Sequence, residues 1–269
     1  MNKQKKIILG IIFVIIIFLI TLSVYSNNLK KDMNELREYI ADSIVNENNK
    51  FDVIVKNAEN QEIKKETNIL YESERINKIK KLKEMNSDIV GWLEIPDTNI
   101  NYPVLQAIDN DYYMRRNYKK KYSLNGSLFL DASYSWYTPS DNLLIYGHNR
   151  GTDQMFAQLL KYEDEAFYKK NPIIRFTTEE EDAIYEIISV FRSRVYYKRE
   201  KDVFRYYYFI NANNEQEFNS YVQNAKKASL YNIDATAEYG DQLLTLSTCS
   251  YHTENGRLAV VARKIKKWY

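Results

Sequence analysis

The hydrophobic and polar residues divide the chain into three regions, of which the first is a long apolar run. Nineteen uncharged residues, Ile7–Tyr25, follow Lys3, Lys5 and Lys6. A helix of that length covers roughly 28 Å, about the hydrocarbon thickness of a bilayer. The run exceeds the roughly 7–15 apolar residues of a signal-peptide core. It therefore predicts a retained transmembrane anchor, residues 1–26, whose lysine-bearing end lies in the cytoplasm and whose remaining chain lies outside the cell.

The second region, residues 27–86, is polar, rich in charge and free of glycine and proline. Between Glu66 and Glu84 its apolar residues recur at helical spacing, at Ile69, Ile76, Ile79 and Leu82. A weaker pattern of the same kind runs from Lys30 to Val55. These periodicities predict a helical stalk or small bundle between the anchor and the rest of the chain.

The third region, residues 87–269, consists of short apolar or alternating runs separated by polar turns, which is the pattern of β-strands. Candidate strands span Val90–Ile95, Ser127–Asp131, Asn142–Tyr146, Ile173–Thr177, Ala183–Arg192, Tyr206–Ile210, Gln242–Thr248 and Leu258–Ile265. Because so many strands occur without a helix between each pair, the pattern predicts a mainly β body, a mostly antiparallel barrel or sandwich. Two helices are predicted within it, over Gln154–Tyr168 and Glu215–Leu230.

The composition narrows the class of protein. Hydrophobic residues make up 45% of the 269 positions, which is enough for one sizeable globular core. The net charge is +2, but without the three lysines before the apolar run the remainder has 35 basic and 36 acidic residues. A near-neutral body lacks the basic surface that nucleic acid binding requires, so no nucleic acid partner is expected.

The candidate chemistry lies at the ends of two predicted strands. Cys249, the only cysteine, follows the strand Gln242–Thr248, and His148 comes just after the strand Asn142–Tyr146. A thiol of ordinary pKa, about 8.5, is mostly protonated at neutral pH, so a thiolate enzyme needs a base or a cation beside its cysteine. Adjacent strands that end at the same rim would bring these two side chains together.

Arg257 is the candidate cation. Seven residues separate it from Cys249, a length suited to a hairpin loop that places the two opposite each other on neighbouring strands. Its guanidinium keeps its charge and can bind a substrate carbonyl or a developing oxyanion. Arg263 has the same parity, but six residues of strand place it roughly 20 Å away. The spacing therefore favours Arg257.

Each of these residues also has an ordinary structural interpretation. A cysteine after a strand is often a buried small hydrophobic residue, and His148 beside Gly147 can be a hydrogen-bonded turn residue. His252 is nearer to Cys249 in sequence, but it falls in the predicted hairpin loop and is the weaker catalytic candidate. Two histidines and one cysteine show no metal-ligand spacing, so neither a metal nor another cofactor is expected.

The same residues resemble the motifs of a known family. The segment Thr245–Cys249, TLSTC, followed by Arg257 resembles the TLxTC…R signature of sortases, and Tyr146–Asn149, YGHN, resembles their histidine segment.

Two further features resemble class B sortases in particular. Gly91–Ile95 and Thr98–Val104 are similar to the first strands of that class, and the helix at Glu215–Leu230 is similar to a helix that it places before the cysteine strand. The resemblance extends from about Asp88 to Ile265.

The resemblance implies an eight-stranded sortase-type β-barrel, preceded by the anchor and stalk, on the surface of a Gram-positive bacterium. The Cys249 thiolate would attack the threonine carbonyl in a C-terminal sorting motif of the NPxTx or xPxTG type, so that the substrate is cleaved after threonine. His148 would transfer protons, and Arg257 would hold the substrate and stabilise the oxyanion. Substrate contacts are implied for the rest of the motif, Thr245, Leu246, Ser247 and Thr248. The implied partners are surface proteins with such a motif and an amine of peptidoglycan or its precursor.

Two other functions fit parts of the pattern. A surface cysteine peptidase would hydrolyse the same acyl-enzyme, because water and an amine use the same thiolate and imidazole. A membrane-tethered scaffold with a structural cysteine would carry out no chemistry at all, and its thiol would resist alkylation.

Overall fold

The structure is a computed structural model that describes residues 61–151 and 153–265, together with isolated helical positions between 16 and 34. The chain divides into two compact units, Met1–Leu70 and Tyr71–Tyr269. The predicted anchor Ile7–Tyr25 and the weaker helical pattern of Lys30–Val55 lie mostly outside the described residues. Among the residues that are described, no helix has the length and apolar character needed to cross a bilayer. The boundaries at positions 26 and 86 stay predictions.

Eight strands form the body of the second unit. They are β1 (Ile89–Glu94), β2 (Asn101–Leu105), β3 (Leu128–Leu130), β4 (Asn142–Gly147), β5 (Ile173–Thr177), β6 (Asp182–Arg194), β7 (Leu243–Cys249) and β8 (Gly256–Lys264). They close into a barrel in the order β1–β2–β3–β4–β7–β8–β6–β5. The pairings β2–β3 and β4–β7 are parallel and the other six are antiparallel. The prediction of a mainly β, mostly antiparallel barrel is confirmed.

One predicted strand is wrong and one strand was missed. The segment predicted as Tyr206–Ile210 contains a 3₁₀ turn, Tyr206–Tyr208, instead of a strand. Its aromatic rings pack on the sheet and on a helix: the ring of Tyr206 lies 5.3 Å from that of Phe191 on β6, and the ring of Phe209 stacks at 4.0 Å on that of Tyr221, which belongs to the helix Glu215–Ala228. The strand that the apolar pattern missed is β2, which contains Pro103; only the family resemblance, over Thr98–Val104, implied it. Proline has no N–H to donate to a ladder, so this segment lacks the usual composition of a strand.

The helix predicted between Glu66 and Glu84 is present as α1 (Gln61–Met85). Its C-terminal half packs on the barrel, where Ile79 and Leu82 are fully buried. An ion pair also holds the helix, since the Arg75 guanidinium donates to the Asp182 carboxylate at 2.5 Å. The apolar stripe and this ion pair fix the end of α1 on the barrel wall.

The helix predicted over Gln154–Tyr168 is divided by Asp164. A 3₁₀ helix, Ala157–Glu163, precedes the residue, and a short α-helix, α2 (Glu165–Lys170), follows it. Asp164 has extended backbone, and its side chain accepts a hydrogen bond from the Ala166 N–H at 2.9 Å. Aspartate favours such a helix-capping position over a helix interior, which explains the break.

The second helix predicted in the body is confirmed as α3 (Glu215–Ala228). The side chain of Asn214 caps its first turn by accepting from the Glu217 N–H at 3.0 Å. Its apolar face is buried against β4, β6, β7 and β8 through Phe218, Tyr221, Val222 and Ala225. This packing supports β7, the strand that carries Cys249.

Candidate active site

The pairing of β4 with β7 brings the predicted histidine and cysteine to one rim of the barrel. The strands are parallel, and Gly147 pairs with Thr248 at the end of their ladder. His148 and Cys249 are the next residues along the two strands, and both are half-buried. The expected meeting of two strand ends is therefore observed, across 101 residues of sequence.

The β7–β8 hairpin places Arg257 directly opposite Cys249, as the loop length predicts. The loop closes through a hydrogen bond from the Ser250 N–H to the Gly256 carbonyl at 3.0 Å. A Cβ atom on Gly256 would lie 2.1 Å from the Ser250 carbonyl oxygen, so this closure requires glycine. The Arg257 guanidinium binds carbonyl oxygens of its own loop, those of Asn255 at 3.3 Å and Gly256 at 2.9 Å.

The charge of Arg257 is available to a ligand. Within residues 61–151 and 153–265, no carboxylate forms an ion pair with it. Arg263, its rival on the same strand, donates instead to the Glu186 carboxylate at 2.9 Å. Arg263 pairs in register with Leu243, at the opposite end of β7 from Cys249. The structure thus separates the two arginines as the spacing predicts.

Cys249, His148 and Arg257 all line one cleft of about 500 Å³. Much of its remaining wall is apolar or aromatic, with contributions from Met114, Phe129, Tyr146, Val195, Tyr206 and Tyr207. A concave site with apolar walls and a few polar groups is the usual form of a site that binds an organic ligand. The three residues that sequence analysis singles out for chemistry therefore share one accessible space.

His148 is held in a defined tautomer. Its Nε2 atom lies 2.8 Å from the Met114 carbonyl oxygen. Because a carbonyl only accepts, Nε2 carries the proton and Nδ1 of the neutral ring is left free to accept one. Burial lowers the pKa of His148, the charges of Arg115, Arg150 and Arg257 lower it further, and the Met114 carbonyl opposes them. The imidazole is therefore mostly neutral at neutral pH and able to take a proton from a thiol.

Two of the four predicted substrate-contact residues line the cleft. Ser247 faces Tyr206, with 2.7 Å between their hydroxyl oxygens, and Thr248 donates to the Gly147 carbonyl at 2.9 Å. The second bond joins the ends of β4 and β7. Ser247 and Thr248 thus belong to the cleft and also fix its shape.

The other two, Thr245 and Leu246, lie outside the cleft lining and are fully buried. The Thr245 hydroxyl donates to the Asn142 side-chain oxygen at 2.9 Å and lies 3.1 Å from the Tyr221 hydroxyl. These contacts tie β7 to β4 and to α3. The structure gives the two residues a place in the core rather than against a ligand.

Asn149 is a site residue that sequence analysis did not single out beyond its place in the YGHN segment. Its side-chain amide donates to the Cys249 carbonyl at 3.1 Å, and its own carbonyl accepts from the Tyr251 hydroxyl at 2.5 Å. The two bonds join the segment after His148 to the end of β7 and to the loop that follows it. An amide directly after a strand-ending histidine is a signal that could have suggested this role.

The remaining candidates lie apart from the cleft. His252 is exposed in the hairpin loop, where its Nδ1 lies 3.0 Å from the Ser250 hydroxyl, and it is not part of the cleft lining. Across the described part of the chain, no group of three or more histidine, cysteine, aspartate or glutamate side chains could hold a metal ion.

Comparison with known proteins decides the family. The model of the sortase domain matches residues 93–265, which include the whole cleft. This chain belongs to the sortase family. It is 33% identical to sortase B of Listeria monocytogenes over 191 residues, which cover 70% of this chain and 74% of the relative. Being of the sortase B type, the protein is a cysteine transpeptidase, and sortases of this type act in the anchoring of proteins to the cell wall.

Solved sortase structures share the barrel. Clostridium perfringens sortase B has a TM-score of 0.64 and 32% identity, with 70% of this chain and 99% of that chain covered. A Staphylococcus aureus sortase B–substrate complex has a TM-score of 0.63 and 29% identity, with 71% and 86% covered.

Proposed function

We propose that this sortase cleaves a C-terminal sorting motif after threonine and joins the new carboxyl end to a cell-wall amine. The observation that carries the proposal is the register in which β7 pairs with its two neighbouring strands. The end of β7 lies beside the end of β4 and opposite the start of β8. That register places Cys249, His148 and Arg257 in one cleft. A thiol, a neutral imidazole and an available guanidinium are the groups that acyl transfer through a thioester requires.

The acylation step follows from the chemistry of these groups. The Cys249 sulfur attacks the threonine carbonyl carbon while its proton passes to Nδ1 of His148. The charge that develops on the carbonyl oxygen is stabilised by the Arg257 guanidinium. When the C–N bond breaks, the imidazolium gives its proton to the leaving amine. The result is a thioester on Cys249, a neutral imidazole and a released C-terminal peptide.

The second step reverses these roles. An amine of peptidoglycan or its precursor attacks the thioester carbonyl, and His148 takes a proton from the attacking nitrogen. The C–S bond breaks, Cys249 leaves as a thiolate, and the imidazolium returns a proton to it. The new amide joins the surface protein to the cell wall. Water in place of the amine would give hydrolysis, which is the reaction of a peptidase.

We also propose that Ile7–Tyr25 anchors the protein in the membrane with the barrel outside the cell. Support comes from the run of uncharged residues and from the three lysines before it. In a Gram-positive host, the full chain should sediment with membranes and its barrel should be digested by protease added to protoplasts. Recovery of the chain in the soluble cytoplasmic fraction would contradict the anchor.

The test of the transpeptidase proposal uses the full chain in detergent with a panel of NPxTx and xPxTG peptides. Mass spectrometry should detect an acyl adduct on Cys249, and addition of a glycine or diaminopimelate-like amine should convert the adduct to an amide product. The Cys249→Ala variant is the matched control and should give neither. An adduct that yields only free acid, whichever amine is added, would favour a peptidase. No adduct with any peptide would overturn the proposal.

A further inference from the structure

A buried carboxylate lies behind one wall of the cleft and takes no part in the proposed proton transfers. It belongs to Asp131, the residue after β3, whose exposed fraction is 5%. Within the described ranges no lysine or arginine forms an ion pair with it. Burying an unpaired carboxylate is costly unless hydrogen bonds compensate its charge. Its partners therefore indicate why it is there.

Two of those partners are residues of the cleft. The Tyr146 hydroxyl donates to Oδ2 of Asp131 at 3.0 Å, and the side-chain amide of Asn110 donates to the same oxygen at 2.9 Å. The other oxygen, Oδ1, accepts from the Ser133 N–H at 2.9 Å. Both Tyr146 and Asn110 line the cleft that holds Cys249. The carboxylate thus connects two parts of the cleft wall through one oxygen atom.

These bonds decide which hydrogen-bonding groups the wall can offer. A carboxylate only accepts, so the hydroxyl proton of Tyr146 is used on Asp131 and its oxygen remains as an acceptor. Burial and the charge of Asp131 raise the pKa of Tyr146 far above its ordinary value, so the phenol keeps its proton. The ring itself is held against Phe129 at a centroid distance of 5.3 Å.

Asn110 is fixed with the opposite polarity. Its side-chain oxygen accepts from the Ala132 N–H at 2.8 Å, and one of its two amide hydrogens is used on Asp131. The group that remains is an N–H donor. Tyr146 and Asn110 bind the same carboxylate oxygen, so their polar atoms are close enough to contact the C=O and N–H groups of neighbouring peptide units.

We propose that Asp131 is a positioning residue that sets Asn110 as a donor and Tyr146 as an acceptor, so that this wall recognises an amide of the sorting peptide. The peptide carbonyl would accept from Asn110, and a peptide N–H would donate to the Tyr146 oxygen. This inference rests on the proposed transpeptidase function and adds to it a determinant of substrate recognition besides Cys249, His148 and Arg257.

The Asp131→Asn variant tests the proposal, because its side-chain amide can donate to the Tyr146 oxygen. The Tyr146 oxygen would then no longer be fixed as an acceptor for the peptide. We expect KM for the sorting peptide to rise about tenfold, as for the loss of one hydrogen bond, with kcat changed less than twofold. The rate of Cys249 alkylation by iodoacetamide should not change. An unchanged KM, or an equal fall in the alkylation rate, would overturn the proposal.

A double-variant comparison separates positioning from general destabilisation. In a Tyr146→Phe, Asn110→Ala background, Asp131→Asn should raise KM no further, because the residues it positions are absent. An equal rise of KM in both backgrounds would refute the positioning role. The matched control is Asp182→Asn, since Asp182 is a buried carboxylate with a side-chain exposure of 3% at the far end of β6. It should lower the unfolding temperature without changing KM.

A second measurement does not depend on the folding of the Asp131 variants. Peptides in which one amide at a time is replaced by an ester lose a single N–H donor. For the wild-type protein, one such ester should raise KM, and Tyr146→Phe should abolish the difference between that ester and the amide. If every ester peptide is processed like its amide, the proposal fails. If the wild type acylates no peptide at all, it is the transpeptidase function that fails.

Discussion

The side-chain amide of Asn149 donates a hydrogen bond to the backbone carbonyl of Cys249, at a distance of 3.1 Å. The bond crosses from the segment after β4 to the end of β7 and therefore helps to fix the cysteine relative to His148. Its donor is almost fully buried, with 4% of its surface exposed. A buried carbonyl that loses its hydrogen-bond donor lowers the free energy of unfolding by about 1–3 kcal/mol.

The first prediction concerns this bond. Asn149→Ala should lower the free energy of unfolding by about 1–3 kcal/mol and reduce kcat for peptide cleavage roughly tenfold, because the two strand ends lose a connection. The matched control is Asn224→Ala, which removes an exposed amide on α3. Denaturant unfolding and steady-state cleavage of a sorting peptide measure both effects. Equal kcat values for the two variants would show that the bond has no role in the site.

The second prediction compares two arginines of β8. Arg257 lines the cleft opposite Cys249, whereas Arg263 pairs with Glu186 at the far end. Removal of an oxyanion donor costs roughly 100- to 1000-fold in kcat, so Arg257→Ala should lose about that much activity. Arg263→Ala removes a partly exposed ion pair and should change stability by less than about 1 kcal/mol. Similar losses of activity in the two variants would exclude Arg257 from the oxyanion role.

The third prediction follows from the lowered pKa of His148, which has burial as its main cause. A histidine whose pKa is lower in the folded than in the unfolded state makes the protein less stable as the pH falls below about 6.5, because the unfolded chain then binds the proton more tightly. The unfolding temperature should therefore fall between pH 7 and pH 5 by more in the wild type than in His148→Gln.

His252→Gln is the control for this experiment, because that residue lies in the exposed hairpin loop. Titration of the His148 ring by NMR should also give a midpoint below 6.5, and Arg257→Ala should move this midpoint upward by removing a nearby positive charge. A midpoint above 6.5 in the wild type would contradict the electrostatic description of the site.

The fourth prediction concerns the glycine between Tyr146 and His148. A Cβ atom on Gly147 would lie 2.5 Å from Cδ2 of Leu128 and 2.6 Å from Cδ2 of Phe156. Gly147→Ala should therefore displace the strand end, cost about 1–3 kcal/mol of stability and lower the acylation rate of Cys249.

Gly151→Ala is the matched glycine variant for this test. An added Cβ would have no atom within 4 Å, and the substitution would meet only the strain of a positive φ of 70°. That strain costs about 1–3 kcal/mol without moving His148. Thermal unfolding should show a similar loss of stability in both variants, whereas the rate of adduct formation should fall only in Gly147→Ala. An unaffected acylation rate in Gly147→Ala would refute the prediction.

Several features of the fold could be predicted because they depend on short stretches of sequence. The alternating runs predict seven of the eight strands, and the apolar face of Glu215–Leu230 predicts α3 nearly to its ends. The missed strand β2 contains a proline, and the wrong one, Tyr206–Ile210, is rich in residues of high β-propensity. Propensity describes how well a side chain fits a sheet surface, and aromatic rings can cover such a surface without joining its ladder.

Local sequence by itself determined the relationship of Cys249 to Arg257, since a seven-residue loop between two strands leaves little choice of register. It also determined which reactive side chains are available, namely one thiol and two imidazoles. Only the tertiary structure decided that β4 lies beside β7, that Thr245 and Leu246 are core residues, and that Asp131 reaches two residues of the cleft wall. These contacts join residues far apart in the chain, and the packing of the closed barrel selects them because no local pattern encodes which distant strand will be the neighbour.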